Sequence, residues 1–195
     1  MPKIINHDER REQVAEATWR VIAKVGLEGA TIRMIAGEAG YSTGALQHYF
    51  ANKDGLIQFA MNLTWQRTDE RIAAAAGASD ALEALSMVAS AVLPLEEERR
   101  QDVLVWLAFV ARAVNDESMS ASHRDYYVRV RERWRKLLKA GILDGSVRAD
   151  IDVETEVNVL TGLIDGLALQ AMFEPMTGAE MTATVDGYVR GLARD

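Results

Sequence analysis

The chain has 195 residues, of which 49% are hydrophobic and 26% are charged, a composition typical of a folded globular protein and not of a disordered one. It contains no cysteine, which excludes disulfide scaffolds, thiolate zinc sites and cysteine nucleophiles. The formal net charge of −7 falls on residues 56–195, because residues 1–55 hold seven basic and seven acidic side chains. The charge therefore leaves room for a nucleic-acid-binding unit at the N-terminal end.

Two features of the sequence indicate where in the cell the protein is found. Residues 1–11 enter a charged stretch without an apolar segment, so we expect no signal peptide. The longest apolar run, residues 157–173, is too short to span a bilayer and carries Asp165 near its middle. We therefore expect a cytoplasmic protein with no membrane partner.

Helical periodicity dominates the chain, and no segment alternates apolar and polar residues as a strand does. The pattern predicts an all-α fold of about nine helices, with Thr31, Ser42 and Asn52 as N-caps and Gly40 in a tight turn. The predicted helices cover about residues 8–25, 32–39, 43–50, 53–76, 80–93, 99–115, 119–139, 152–173 and 178–193.

Residues 31–50 have the spacing of a helix-turn-helix, in which a short helix, a glycine turn and a second short helix follow one another. We expect Ile35 and Ala36 on the buried side of the first helix and Leu46 and Phe50 on that of the second. The exposed side of the second helix then carries small or hydrogen-bonding groups suited to a DNA major groove. These groups are Thr43, Gly44, Ala45, Gln47 and His48.

The segment and the start of the next helix contain Thr31-Ile32, Ile35-Ala36, Ala39-Gly40-Tyr41-Ser42, Gly44-Ala45-Leu46, His48-Tyr49-Phe50 and Lys53-Asp54-Gly55-Leu56. In these residues the chain resembles the DNA-binding segment of TetR-family repressors, most closely the choline-responsive, betaine-pathway subgroup. Two residues depart from the family pattern: Tyr41 stands where a small aliphatic residue is usual, and Gln47 where tyrosine is common.

The resemblance implies a homeodomain-like DNA-binding domain in residues 1–55 and a helical effector-binding and dimerisation domain in residues 56–195. It further implies two groups of DNA contacts. The residues that would face base edges are Arg33, Thr43, Gly44, Ala45, Gln47 and His48. Those that would hold phosphates are Thr31, Ser42, Tyr49 and Lys53. Lys53 suits this role because the first turn of a helix favours an anion.

The resemblance also implies an effector cavity in the C-terminal domain. The candidate lining residues are Trp65, Met87, Trp106, Phe109, Arg112, Tyr126, Tyr127 and Met172. Tryptophan and tyrosine faces suit a quaternary ammonium ligand. The alternative for any one of these residues is a plain core position.

Pairs of glycines four residues apart occur in the last two predicted helices, where they permit a close approach of backbones. Together with the resemblance, they imply a homodimer built on a four-helix bundle. The candidate interface residues are Leu160, Gly162, Leu163, Gly166, Leu167, Gly187 and Gly191. The alternative is close packing within one chain.

The function that the resemblance implies is that of a transcriptional repressor, which binds a palindromic operator as a homodimer and is released by a small-molecule effector. The alternative is a DNA-binding regulator whose C-terminal body recognises a protein partner. We expect no cofactor.

Several local patterns resemble catalytic or metal-binding motifs, but the surrounding sequence lacks features that those motifs require. Gly40–Gly44 matches the G-x-S-x-G elbow of hydrolases, with His123 as a possible base. The elbow requires a strand before Ser42, whereas a helix is predicted there, so we expect no enzyme. The three histidines lack ligand spacing, and residues 144–155 lack the glycine and glutamate of a calcium loop, so we expect no metal site.

Overall fold

The computed structural model describes residues 7–49, 52–74, 77–174 and 176–194, and these residues form nine α-helices. The helices are α1 (His7–Gly29), α2 (Ile32–Ala39), α3 (Thr43–Tyr49), α4 (Lys53–Ala74), α5 (Ala81–Val92), α6 (Glu97–Ala113), α7 (Glu117–Asp144), α8 (Val153–Gln170) and α9 (Gly178–Arg190). Extended pairing in the described ranges is limited to one bridge between Val147 and Ala193. The predicted all-α fold is confirmed. None of these helices is both long and apolar enough to cross a bilayer.

The three predicted N-caps are confirmed. In each, a side-chain oxygen accepts a hydrogen bond from the N–H three residues on: Thr31 from Met34 (3.2 Å), Ser42 from Ala45 (3.2 Å) and Asn52 from Gly55 (2.8 Å). Gly40 follows α2 with φ +73°, a left-handed conformation that glycine adopts without strain. Caps and turn together set the short helices α2 and α3 at a fixed spacing.

The chain divides into two compact units. The first comprises the described part of Met1–Arg67 with Gln101–Ser120, and the second comprises Thr68–Arg100 with the described part of Ala121–Asp195. In the first unit α1 packs against α2, and α2 packs against α3. The expected boundary between a DNA-binding domain (residues 1–55) and an effector-binding and dimerisation domain (residues 56–195) concerns function, so it stays a prediction.

The second unit has its own hydrophobic core, built from α5, α7, α8 and α9. Its fully buried members include Leu85, Leu93, Leu138, Val157, Leu160 and Val185. Within this unit α5 and α8 both pack against α9. The core therefore joins helices that lie far apart in sequence, as expected for a helical body.

Helix α7 extends to Asp144, beyond the end predicted near residue 139. Gly141 lies inside the helix and does not end it. The absence of a side chain at this position permits a close approach of the following loop. A Cβ built at Gly141 would lie 2.4 Å from Cγ2 of Val147 and 3.1 Å from Cβ of Ala81. The Val147 N–H also donates to the Gly141 carbonyl at 2.9 Å. The glycine is thus a packing requirement.

We expect Gly141→Ala to lower the free energy of unfolding by about 1–3 kcal/mol, because the new methyl group overpacks against the stiff, buried Val147. Urea denaturation monitored by circular dichroism measures this change. Gly37→Ala is the matched control, since a Cβ at Gly37 meets no atom within 4 Å. Alanine there should add up to about 1 kcal/mol through helix propensity. A Gly141→Ala protein as stable as the parent would contradict the packing argument.

Candidate functional site

The first half of α3 presents its surface to solvent. Thr43 and Gly44 are exposed, Ala45 is half-buried, and Leu46 is 1% exposed. Leu46 therefore anchors the helix while the preceding residues remain accessible. Gln47, His48 and Tyr49 belong to α3, but their side chains, and that of Lys53, lie outside the described residues. Their expected DNA contacts stay predictions.

The other expected DNA contacts flank α3. Arg33 is exposed on α2 and makes no ion pair with another described residue. Thr31 and Ser42 are exposed, and each accepts a cap hydrogen bond. A hydroxyl that accepts a hydrogen bond can still donate its own hydrogen to a phosphate oxygen. Ser42 follows helix α2 and caps α3, which is not the strand-to-helix turn that a hydrolase elbow requires.

An ion-pair cluster braces α2 against α1. Glu38 accepts hydrogen bonds from Arg20 Nε at 2.9 Å and from Lys24 Nζ at 3.4 Å. The bond from Arg20, followed by the bond and the charge of Lys24, lowers the pKa of Glu38 below its ordinary value. All three groups are accessible to water, so the cluster adds modestly to stability and chiefly orients α2.

Tyr41 ties the turn between α2 and α3 to α1. Its hydroxyl donates to Oε1 of Gln13 at 2.8 Å, and the Arg10 guanidinium lies 5.6 Å from the centre of its ring. A small aliphatic residue, usual in the family pattern, would make neither contact. The departure at position 41 therefore adds a second contact that holds the turn before α3 against α1.

Four expected effector contacts lie in the first unit. Trp65 and Phe109 are buried and pack edge to face, with ring centres 5.5 Å apart. Trp106 is half-buried on α6. Arg112 pairs through Nε and Nη2 with the two carboxylate oxygens of Asp54, each at 3.2 Å. Arg112 thus ties α6 to the first turn of α4, next to Lys53.

The second unit encloses a small cavity of about 50 Å³, lined by α4, α5, α7 and α8. Its polar and aromatic lining residues are Tyr126, Tyr127, Arg133, Trp134, Thr161 and Asp165. Two of these, Tyr126 and Tyr127, were expected from the sequence. Met87 and Met172 lie in the same unit and are half-buried, but they do not line this cavity.

Asp165 is the acidic residue that lines the cavity. The Tyr127 hydroxyl lies 3.0 and 2.9 Å from the two carboxylate oxygens and donates to them. Burial raises the pKa of Asp165 to about 6, although the Tyr127 hydrogen bond and the charge of Arg131 oppose the rise. A signal for this residue was present in the sequence, since Asp165 is the one charge within residues 157–173. The sequence pattern by itself excludes a membrane span there but does not place the carboxylate in a cavity.

The expected dimer residues divide into two groups. Leu160 and Leu167 are buried in the core of the second unit, so their side chains serve the fold of the single chain. Leu163 and Gly166 are half-buried, and Gly162, Gly187 and Gly191 are exposed. A Cβ built at Gly162 or Gly166 would meet no atom within 4 Å beyond its own helix. These two glycines therefore face open space.

Both parts of the chain match known protein families. Residues 14–59 match the family described as bacterial regulatory proteins, tetR family. Residues 81–194 match the family described as BetI-type transcriptional repressor, C-terminal. The two matches cover the helix-turn-helix and most of the helical body.

Individual proteins resemble the chain over nearly its whole length. The HTH-type transcriptional regulator PksA of Bacillus subtilis is 41% identical over 90% of this chain and 85% of its own. The regulator BetI of Paraburkholderia phytofirmans is 33% identical over 97% and 96%.

Solved structures share the fold. A Rhodococcus transcriptional regulator has a TM-score of 0.83 at 29% identity, covering 93% of this chain and 95% of its own. A putative transcriptional regulator from Saccharomonospora viridis in complex with choline has a TM-score of 0.89 at 23% identity, covering 97% and 100%. The chain belongs to the TetR family of transcriptional regulators and carries a BetI-type C-terminal domain.

Proposed function

We propose that this regulator is a repressor that binds a palindromic operator as a homodimer and is released by a small-molecule effector. The observation that carries the proposal is the exposed start of α3, held in a helix-turn-helix, in a chain that matches the TetR family at both ends. The experiment that tests it is selection of duplexes from random oligonucleotides by the purified protein. We expect one two-fold symmetric sequence to be enriched, and enrichment of no sequence would contradict the proposal.

DNA reading is assigned to α3 and to Arg33. Thr43 and Gly44 are small and exposed, so the backbone of α3 can approach the floor of the major groove closely. Arg33 is long enough to reach a guanine edge, and no described acidic residue competes for it. Thr31, Ser42, Tyr49 and Lys53 are assigned to phosphates, which set orientation without reading sequence.

Dimer formation is assigned to one face of α8 together with α9. Val159, Gly162, Gly166 and Leu169 follow one another at spacings of three and four, so they share a face of the helix. Val159 is 41% and Leu169 is 40% exposed, and a Cβ built at either glycine between them would meet no atom within 4 Å beyond its own helix. The open face favours a second copy of the chain over close packing within one chain.

Effector binding is assigned to the cavity of the second unit. The Saccharomonospora viridis relative of the same fold holds choline, and the cavity of this chain has aromatic walls and a carboxylate. Helix α4 contributes Ile72 to the cavity and begins at Lys53. We propose that the effector shifts α4 and thereby changes the spacing of the two recognition helices. It can do so only by binding the released state more tightly than the DNA-bound state.

Gln47→Ala and Lys53→Ala should weaken DNA binding in different ways. Gln47→Ala removes a base contact, so it should lower the affinity for the selected operator by about 5- to 100-fold and leave the affinity for random DNA unchanged. Lys53→Ala removes a phosphate contact, so it should weaken binding to operator and to random DNA and lower the slope of log affinity against log salt by about 1. Fluorescence anisotropy at several salt concentrations measures both effects, with Lys136→Ala on the exposed side of α7 as the control. Equal losses on operator and random DNA for Gln47→Ala would refute its reading role.

Gly166→Glu should convert the dimer into a monomer, because two carboxylates would meet across the two-fold axis. Sedimentation equilibrium at micromolar concentration should give twice the chain mass of 21.5 kDa for the parent and the single mass for the variant. Gly37→Glu is the matched control, because Gly37 is also a helical glycine with open space beside it. A monomeric parent protein, or a Gly166→Glu protein that remains dimeric, would contradict the assigned face.

A further inference from the structure

Arg112 and Asp54 form an ion pair with two contacts at the beginning of α4. Arg112 Nε lies 3.2 Å from one carboxylate oxygen of Asp54, and Nη2 donates to the other oxygen at 3.2 Å. The planar guanidinium matches a carboxylate in this geometry, which fixes the relative orientation of the two groups. Asp54 lies in the first turn of α4 and Arg112 in the last turn of α6. The pair therefore joins two helix ends of the first unit.

The end of α6 is anchored independently of this pair. Phe109 and Ala113, which flank Arg112 on α6, are 0% and 5% exposed. The Phe109 ring also packs edge to face against Trp65 of α4, with ring centres 5.5 Å apart. Arg112 therefore extends from a helix that the core holds in place, and its guanidinium can orient the segment to which it binds.

The first turn of α4 is held on its inner side by packing and by its cap. Leu56 and Ile57 are buried, and Asn52 accepts a hydrogen bond from the Gly55 N–H at 2.8 Å. The bond from the Leu56 N–H to the Asn52 carbonyl is 3.4 Å long, which exceeds the usual N–H···O distance. The ion pair with Arg112 adds a contact on the side of this turn that is accessible to water.

Lys53 directly precedes Asp54 in this turn. Neighbouring Cα atoms lie 3.8 Å apart, so a change in the orientation of the turn moves both residues. A phosphate bound at Lys53 would lie within about 10 Å of the Asp54 carboxylate, which is the Debye length at 0.1 M salt. By charge alone, neutralisation of Asp54 should therefore strengthen DNA binding. Loss of an orienting contact should weaken it, so the sign of the change separates the two effects.

We propose that Arg112 is a positioning residue for DNA binding: it holds the carboxylate of Asp54 and thereby orients Lys53 toward a phosphate. Arg112 acts through Asp54 and needs no contact with DNA in this role. The geometry of the pair orients the turn, and the charge of Arg112 alone does not. This inference rests on the proposed function, in which Lys53 holds a phosphate of the operator.

Asp54→Asn and Arg112→Lys test geometry against charge. Asp54→Asn removes a negative charge near the phosphate, yet it should weaken operator binding because the ion pair is lost. Arg112→Lys keeps the charge and should also weaken operator binding, because an ammonium does not reproduce the planar contact with both oxygens. An exposed pair contributes up to about 5-fold at each site, and a dimer uses two sites. Operator affinity should therefore fall by about 5- to 25-fold, as measured by fluorescence anisotropy on the full chain.

A second ion pair of the same kind provides the matched control. Arg135 donates to the two carboxylate oxygens of Glu154 at 2.6 and 2.7 Å, and Glu154 lies in the first turn of α8 in the second unit. Arg135→Lys and Glu154→Gln should leave operator affinity unchanged. The urea midpoints of Asp54→Asn and Arg112→Lys should equal that of the parent, because an exposed pair adds little to the free energy of unfolding.

Lys53→Ala tests whether the pair acts through Lys53. In that background Arg112→Lys should cause no further loss of operator affinity, because the contact that it positions is already absent. Equal losses in the parent and in Lys53→Ala would overturn the inference. Parental or tighter operator binding by Asp54→Asn, or full affinity in Arg112→Lys, would also overturn it. A loss of affinity accompanied by a lower urea midpoint would do the same, since general destabilisation would then explain it.

Operator binding by the parent distinguishes failure of this inference from failure of the proposed function. If the parent binds a two-fold symmetric operator and both pair variants bind it equally well, the inference fails and the proposed function stands. If the parent binds no operator, the proposed function fails.

Discussion

Helix α3 has seven residues, which is too few for a stable helix in water, because nucleation costs more than so few hydrogen bonds return. Its placement depends on contacts supplied by the rest of the first unit. Ser42 caps its first turn, and Leu46 buries its inner side. The turn before it is held by Gly40 and by the bond from Tyr41 to Gln13. The placement of α3 therefore depends on its packing against α2 and on the turn that is held to α1, and its first residues remain exposed.

The second unit imposes a different constraint. Its core is apolar, and the half-buried Asp165 lines a small cavity that several core residues also line. A desolvated carboxylate opposes folding unless it gains a proton or a partner. Asp165 gains such a partner in the Tyr127 hydroxyl. A ligand of this unit can control DNA binding only to the extent that its affinity differs between the two states of the regulator.

Local features were predictable from the sequence, and features that depend on distant packing were not. The caps at Thr31, Ser42 and Asn52 act within one helical turn, so residue type and spacing were sufficient. The helix end predicted near residue 139 was wrong, because the close contact of Gly141 with Val147 and Ala81 cannot be inferred from a local pattern. The pairing of Arg112 with Asp54 joins residues 58 positions apart, and no periodicity reveals it.

The candidate site shows the same division. Tyr126 and Tyr127 were chosen by side-chain type and line the cavity, whereas the position of Asp165 beside them depends on how α7 and α8 pack. Trp65 and Phe109 are aromatic, as many ligand-binding residues are, but they are buried and pack against each other. Side-chain type alone does not distinguish a cavity wall from a core.

The central claim is that DNA and a small molecule bind this one chain with linked free energies. Calorimetric titration of choline into the protein, with and without saturating operator, tests it most directly. The account predicts that operator weakens choline binding by the same factor by which choline weakens operator binding, because linkage is reciprocal. Equal choline affinity in the presence and absence of operator would contradict it.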